Sequence, residues 1–301
     1  MPWPSSSTRN LEDVAGVEFL KGHGTQNDFV LLPDVDGTLE LTPARVRALC
    51  DRQRGIGADG VLRIVATAHV PGIESYGSLA GHDVEWFMDY RNADGSIAEM
   101  CGNGVRVFGR YLVEAGLAKP GEFSIGTRAG VRRVEVAADD PAGTVAVEMG
   151  PARVFGESTA TIAGRDLPGL AVDVGNPHLV TPLDDTGLDL ADLDLSVAPG
   201  HDPAVFPHGV NVEFTRSEGR DELRMRVHER GVGETRSCGT GTVAAVAAAL
   251  HRAGRTSAKV AVHILGGTVV VGIDDGQATL TGPAVLVARG ELSSQWWAEL
   301  G

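Results

Sequence analysis

Residues 90–116, YRNADGSIAEMCGNGVRVFGRYLVEAG, and residues 227–254, VHERGVGETRSCGTGTVAAVAAALHRAG, share one anatomy. In each, a strand-like alternation of apolar and polar residues (VEWFMDY, ELRMRVH) runs into a Gly-containing turn. A C-G-x-G sequence follows, at Cys101 and at Cys238, and then a nearly unbroken helical stretch that ends at Gly116 or Gly254. The cysteines stand 137 residues apart, so the chain reads as a duplicated half with one thiol in each copy.

A helix that begins just after a cysteine surrounds the sulfur with the free N–H groups of its first turn and the positive end of its dipole. Both favour thiolate and attract anions. Gly102, Gly104, Gly239 and Gly241 carry no side chain, so a ligand carboxylate has direct access to backbone amides at both helix starts. Two opposed thiols of this kind suit proton transfer at a carbon stereocentre. One thiolate takes a proton from one face while the other thiol delivers one to the opposite face, without metal or cofactor. Cys50, in ARVRALCDRQRG, lacks the C-G-x-G frame and is assigned to packing.

The duplication extends outward from the cysteines. GTQNDFVLLPD (24–34) and VGNPHLVTPLDD (174–185) each place an Asn on a turn beside a short strand, and GIGADGVLRI and FPHGVNVEF take matching places later in their halves. The closing segments, SIGTRAGVRRVEVAADDPAGTVAVEMG and KVAVHILGGTVVVGIDDGQATLTG, read as hairpins from their Gly-rich turns and β-branched runs. Both central helices are apolar nearly all round, which predicts that sheet wraps them. The expected fold is α+β: two pseudo-symmetric domains, residues 17–145 and 146–284, each a mostly antiparallel sheet curled around one α-helix.

Composition excludes several classes of function. With 26 Lys and Arg against 40 Asp and Glu the net charge is −14, which disfavours nucleic acid as a partner. The longest apolar run, VAAVAAAL at 243–250, is far too short to span a bilayer, so no membrane role is expected. Residues 1–16 lack the apolar core of a signal peptide and are read as a loose extension before a first strand at Val17. Three cysteines without a secretory signal indicate a reducing cytoplasm. No metal-site spacing, P-loop or dinucleotide fingerprint is present, and no cofactor is expected.

In order along the chain, HGTQNDF, NADGSIAEMCGNGVR, GNPH, GVNV and ERGVGETRSCGTG resemble the diaminopimelate epimerase family, and the resemblance covers the chain from Val17 onward. It implies a cofactor-independent enzyme that interconverts LL- and meso-2,6-diaminopimelate and supplies lysine and cell-wall precursors. Cys101 and Cys238 match the acid and base pair. Gly102 and Asn103, with Gly239 and Thr240, match the positions whose amides hold the carboxylate at the reacting centre. Glu229 matches the residue that holds the α-ammonium. Asn92, Asn176, Asn211 and Arg230 match the set that grips the distant amino-acid head, and Asn27 a further substrate contact. His178 and Glu229 occupy the places that tune the thiols. The resemblance also implies that residues 285–301 return to the first domain and that the protein is a homodimer.

Two positions depart from the commonest family pattern. Gln26 stands where many members have Gly, and Gly60 where many have Gln, so a side-chain amide contact to substrate is absent at position 60 and a neighbour or a water has to replace it. Three other readings stay open on the sequence. A proline or hydroxyproline racemase also uses paired cysteines, a thiol redox or sensor protein would cycle Cys101 and Cys238 between dithiol and disulfide, and a non-catalytic module of the same fold would bind an amino acid without exchanging its α-hydrogen.

Overall fold

The structure, a computed structural model, describes residues 16–73, 76, 79, 84–138, 140 and 143–300. The first half contains β1 (Val17–Gly24), β2 (Asn27–Pro33), α1 (Pro43–Cys50), β3 (Gly60–Ala66), β4 (Trp86–Asn92), α2 (Gly102–Glu114), β5 (Gly121–Thr127), β6 (Gly130–Val136) and β7 (Thr144–Pro151). The second contains β8 (Arg153–Ile162), β9 (Arg165–Asp173), β10 (Pro177–Pro182), β11 (Gly200–His201), β12 (Asn211–Gly219) and β13 (Glu222–Glu229). It continues through β14 (Gly233–Thr235), α3 (Gly239–Arg252), β15 (Ser257–Ile264), β16 (Gly267–Asp274) and β17 (Gln277–Pro283). The chain closes with β18 (Val285–Leu292) and α4 (Ser294–Glu299).

Strand pairing repeats between the halves. From β1 the ladder runs antiparallel to β2, parallel to β3, antiparallel to β4, parallel to β5, then antiparallel to β6 and β7. From β9 it runs in the same order through β10, β12, β13, β15, β16 and β17. The last strand, β18, pairs antiparallel with β1 as β8 pairs with β9. One further antiparallel ladder, β7 with β17, joins the two halves into a single curled sheet. The α+β fold class expected from the duplication is the one observed, while the boundary expected at 145/146 falls inside β7, which runs unbroken from Thr144 to Pro151.

Each sheet wraps its helix because the helix has no polar face to offer water. Ten of the 13 residues of α2 and ten of the 14 of α3 are buried, which leaves mainly their C-terminal ends for solvent, with Thr240 at the start of α3 half-buried. Val105, Val107, Phe108 and Leu112 on α2 share a core with Val134, Val136, Val145 and Val147 of β6 and β7. Side chains of this kind contribute about 1.5–3 kcal/mol each on full burial. The Ala-rich α3 admits closer approach and fills the same role with less volume. Both helices end at a glycine in the left-handed region, Gly116 at φ 72° and Gly254 at φ 63°, which stops the helix without a Cβ penalty.

Two short helices lie outside the expected pattern. Thr42 caps α1 by accepting a hydrogen bond from Arg45 N, and Pro43 opens it, while Ser293 caps α4. They cover the outer face of β1–β3, where Val46, Leu49, Cys50 and Trp297 pack on Val30, Leu32 and Val61. Cys50 is therefore a packing residue, as its sequence context suggested. The extension expected at 1–16 lies outside the described residues except for Gly16.

Candidate active site

Cys101 and Cys238 are the N-cap residues of α2 and α3, both in extended backbone (φ −142°, ψ 118° and φ −121°, ψ 112°). The two helix starts meet head to head. A Cβ on Gly239 would stand 3.6 Å from Gly102 Cα and 3.8 Å from Asn103 N, so the residues following the two cysteines are in contact. First-turn N–H groups and positive dipole ends from both halves thus converge on one place. Cys238 Sγ accepts from Gly241 N at 3.4 Å and lies 3.6 Å from Thr240 Oγ1, whereas Cys101 Sγ donates to Asn27 Oδ1 at 3.5 Å.

A polar seam crosses between the halves beside the thiols. Asn103 Nδ2 donates to Asn27 Oδ1 (3.2 Å) and to the carbonyl and hydroxyl of Ser237 (3.2 and 3.0 Å). The Ser237 hydroxyl lies 2.7 Å from that of Thr25, which accepts from Arg106 Nη2 at 3.0 Å. Arg106 is fully buried, no carboxylate meets it, and its Nη1 has no partner among the described residues. Thr25 and Gln26 sit in the left-handed region at φ 50° and 64°, a conformation that suits the glycine common at position 26. Here the Gln26 side chain offsets the strain by accepting from Arg236 Nε. Asn27 is oriented from behind, since its Nδ2 donates to Asp59 Oδ2 at 2.8 Å and Asp59 in turn is held by Arg52.

Carboxylates dominate the other thiol. Fully buried Glu213, on β12, places Oε1 2.7 Å from His178 Nδ1 and within 2.7 Å of where a Cβ on Gly241 would stand, a point 3.3 Å from Cys238 Sγ. His178 Nε2 faces Asn176 Oδ1 at 3.0 Å. Glu229 accepts from Thr235 Oγ1, and its charge acts on Cys238. Parallel pairing of His178 with Asn211 and antiparallel pairing of Val212 with His228 set this group in register.

Burial governs the titration of both sulfurs. It pushes Cys101 up to about 11, with the Gly104 and Asn103 N–H groups and the Arg106 charge pulling the other way and Glu229 adding to the rise. Burial, then Glu229 and Glu213, push Cys238 well above the usual thiol range, against the Thr240 and Gly241 contacts. The helix starts therefore act as expected, lowering each thiol, but desolvation outweighs them and thiolate is not the favoured form of either. The Arg106 charge works to lower Cys101, whereas two carboxylates, Glu229 and Glu213, work to raise Cys238. Burial likewise raises Glu213 and Glu229.

The remaining expected residues divide. Asn211 Oδ1 accepts from Arg230 N at 2.8 Å, and Arg230 Nη1 donates to His208 O at 3.0 Å, so the guanidinium lies exposed at the rim rather than inside. Asn92 is bound within its own turn, its Nδ2 donating to Ser96 Oγ at 3.0 Å. Thr25, Arg106, Glu213, Thr235 and Ser237 were not singled out from the sequence. All five lie inside stretches quoted above, yet only tertiary pairing distinguishes them from ordinary turn, strand and helix residues.

Comparison with known proteins agrees with this architecture. The sequence model of the family described as "Diaminopimelate epimerase" matches residues 19–155 and 170–287. A diaminopimelate epimerase of Rhodococcus erythropolis is 55% identical over 294 residues, covering 95% of this chain and 100% of the relative. One of Mycobacterium tuberculosis is 52% identical over 291 residues, covering 94% and 99%. Among solved structures, a PhzF-family phenazine biosynthesis protein of Bacillus anthracis matches with a TM-score of 0.67 at 14% identity, over 93% of this chain and 100% of its own. A hydroxyproline epimerase of Agrobacterium vitis matches with a TM-score of 0.65 at 17% identity, over 92% and 90%, a likeness of fold. By sequence over nearly its whole length, the chain belongs to the diaminopimelate epimerase family.

Proposed function

We propose that this protein interconverts LL- and meso-2,6-diaminopimelate by a two-cysteine acid/base mechanism that needs no cofactor. The observation that carries the reading is the head-to-head meeting of two cysteine-capped helices, one from each half, inside a family whose curated members at 52–55% identity are named for this reaction. A carboxylate laid across the two helix starts would receive the N–H groups of Gly102, Asn103, Gly239 and Thr240, and Glu229 would take the α-ammonium. With the α-carbon held between the sulfurs, one cysteine as thiolate removes the α-proton. The charge left on carbon delocalises into the carboxylate, which the amides stabilise, and the second cysteine as thiol delivers its proton to the opposite face. The base ends as thiol and the acid as thiolate, so the reverse reaction uses the same pair with roles exchanged.

His178 and Glu229 act in this reading on Cys238, through Glu213 and directly. Asn92, Asn176, Asn211 and Arg230 hold the remote head of the substrate, which a proline-type racemase has no use for, and Asn27 orients the Cys101 side. The protein is taken to act as a cytoplasmic homodimer. Epimerisation in deuterated water tests the mechanism: the inverted product should carry deuterium at its α-carbon, with no nicotinamide, pyridoxal phosphate or metal added. Activity that requires an added cofactor, or inversion without label, would refute it.

A further inference from the structure

Gly60 removes a side chain from the edge of the site, and the structure shows what fills the space. A Cβ on Gly60 would lie 2.7 Å from Cε2 of Tyr90 and 3.5 Å from its Cζ, with Arg91 O at 2.6 Å. Tyr90 is set opposite Leu62, and Gly60 opposite Asn92, so the ring leans along β4 toward Gly60. Its other flank meets Phe29 edge to face, with ring centroids 6.0 Å apart. Phe29 in turn reaches the first turn of α2, since a Cβ on Gly104 would stand 3.6 Å from Phe29 Cζ and 3.5 Å from Cys101 Cβ. The ring is thus packed between position 60 and Phe29, which in turn reaches the helix start that carries Cys101.

Tyr90 is largely buried, but its hydroxyl oxygen is not enclosed: no bond to it is found among the described residues, and the oxygen reaches solvent. Burial pushes the phenol well above its ordinary value, and charge on Cys101, Glu229 and Asp59 adds to the rise, so groups from both halves lie within its electrostatic reach and it stays a neutral donor. A phenol whose ring is packed and whose oxygen is open is held in place and free to donate to a ligand. The charged groups named here are all anionic or potentially so, and each would be repelled by a substrate carboxylate. A neutral donor among them adds to the helix-start amides without that repulsion.

We propose that Tyr90 is a substrate-positioning residue in this chain, its ring occupying the room left by Gly60 and its hydroxyl donating to a carboxylate oxygen of the bound amino acid. The proposal rests on the epimerase reading. It replaces the absent side-chain contact at position 60 by one from the neighbouring strand, on the opposite side of the same ladder.

Tyr90→Phe removes only the oxygen. Calorimetric binding of meso-diaminopimelate should weaken about tenfold and KM should rise by a similar factor, kcat should fall less, and the melting temperature should stay within a degree or two. Gly60→Ala pushes a methyl into the ring and against Arg91 O, so it should weaken binding and also lower the melting temperature, and removing the hydroxyl in the double variant should then cost less in affinity than it does in the wild type. Wild-type affinity and KM in Tyr90→Phe, or additive losses in the double variant, would overturn the proposal while leaving the epimerase reading intact. Wild-type protein that neither binds nor turns over diaminopimelate would overturn both. A lowered melting temperature with unchanged affinity would assign Tyr90 to packing alone and likewise overturn it.

Discussion

Gly266→Ala tests whether the seam between the halves sets the geometry of the thiols. Gly266 lies between β15 and β16, and a Cβ there would fall 1.8 Å from Thr25 O, 2.7 Å from Thr25 C and 3.0 Å from Arg236 O. Carbon and carbonyl oxygen approach to about 3.3 Å at closest. The methyl therefore demands roughly 1.5 Å of displacement. Every opposing atom is backbone, so no flexible side-chain end can yield. The Thr25–Gln26 turn or the Arg236–Ser237 segment has to move, and Ser237 immediately precedes Cys238 and holds Asn103. Overpacking of this kind costs about 1–3 kcal/mol, and a misplacement near 1 Å at reacting groups can cost ~100-fold in rate. We expect kcat/KM for α-hydrogen exchange in deuterated water to fall about 100-fold, with a melting temperature lower by several degrees. Gly156→Ala, where a Cβ meets nothing within 4 Å, serves as control. Activity of Gly266→Ala within twofold of wild type would show that the seam does not position the cysteines.

Cys101→Ala and Cys238→Ala should each abolish exchange, while Cys50→Ala, which alters a buried thiol pushed up to about 12 on the outer face of the sheet, should leave turnover within about twofold; exchange assays and intact-protein alkylation check all three. Arg230→Met deletes a rim guanidinium, so KM for diaminopimelate should rise about 10- to 100-fold with little change in melting temperature, as steady-state kinetics and thermal melts would reveal. Asp89 is buried, which alone would raise its carboxyl, yet Arg91 and Arg128 at 2.8 and 2.7 Å hold it below the usual range. A depressed folded value means that its stabilisation is full above the unfolded carboxylate range and disappears as pH falls through the folded value. Asp89→Asn should therefore cost about 3 kcal/mol at neutral pH, and the gap in melting temperature to wild type should narrow in acid.

How much was legible depended on whether the signal was local. Each C-G-x-G frame is a strand, a turn and a helix start within thirty-odd residues, so repetition exposed both the thiols and the fold. Glu213 was not legible, because its side chain matters only through the parallel pairing of β10 with β12, which brings it against His178. Arg106 reads as one of two cations in an apolar helix, and its isolation from carboxylates is a property of the packed state. The pKa expectation failed for a related reason: helix-start amides are visible in sequence, whereas the depth of burial that outweighs them is not. The helices α1 and α4 had readable caps, Thr-Pro and Ser, but eight and six residues give too short a period to separate from loop.

The β7–β17 ladder has a mechanical consequence. The chain passes between the halves only at Ala152 and Ala284, single residues between consecutive strands, and these lie at opposite ends of that ladder. There is no linker on which the halves can swing as rigid bodies. Any change in the angle between them has to be absorbed as twist along an antiparallel ribbon pinned covalently at both ends, whose one compliant point is the irregularity at Ala278–Thr279. Backbone hydrogen bonds of this ribbon, together with the side-chain seam of Thr25, Asn103 and Ser237, hold the two helix starts in one alignment, so opening the cleft wider would have to deform both.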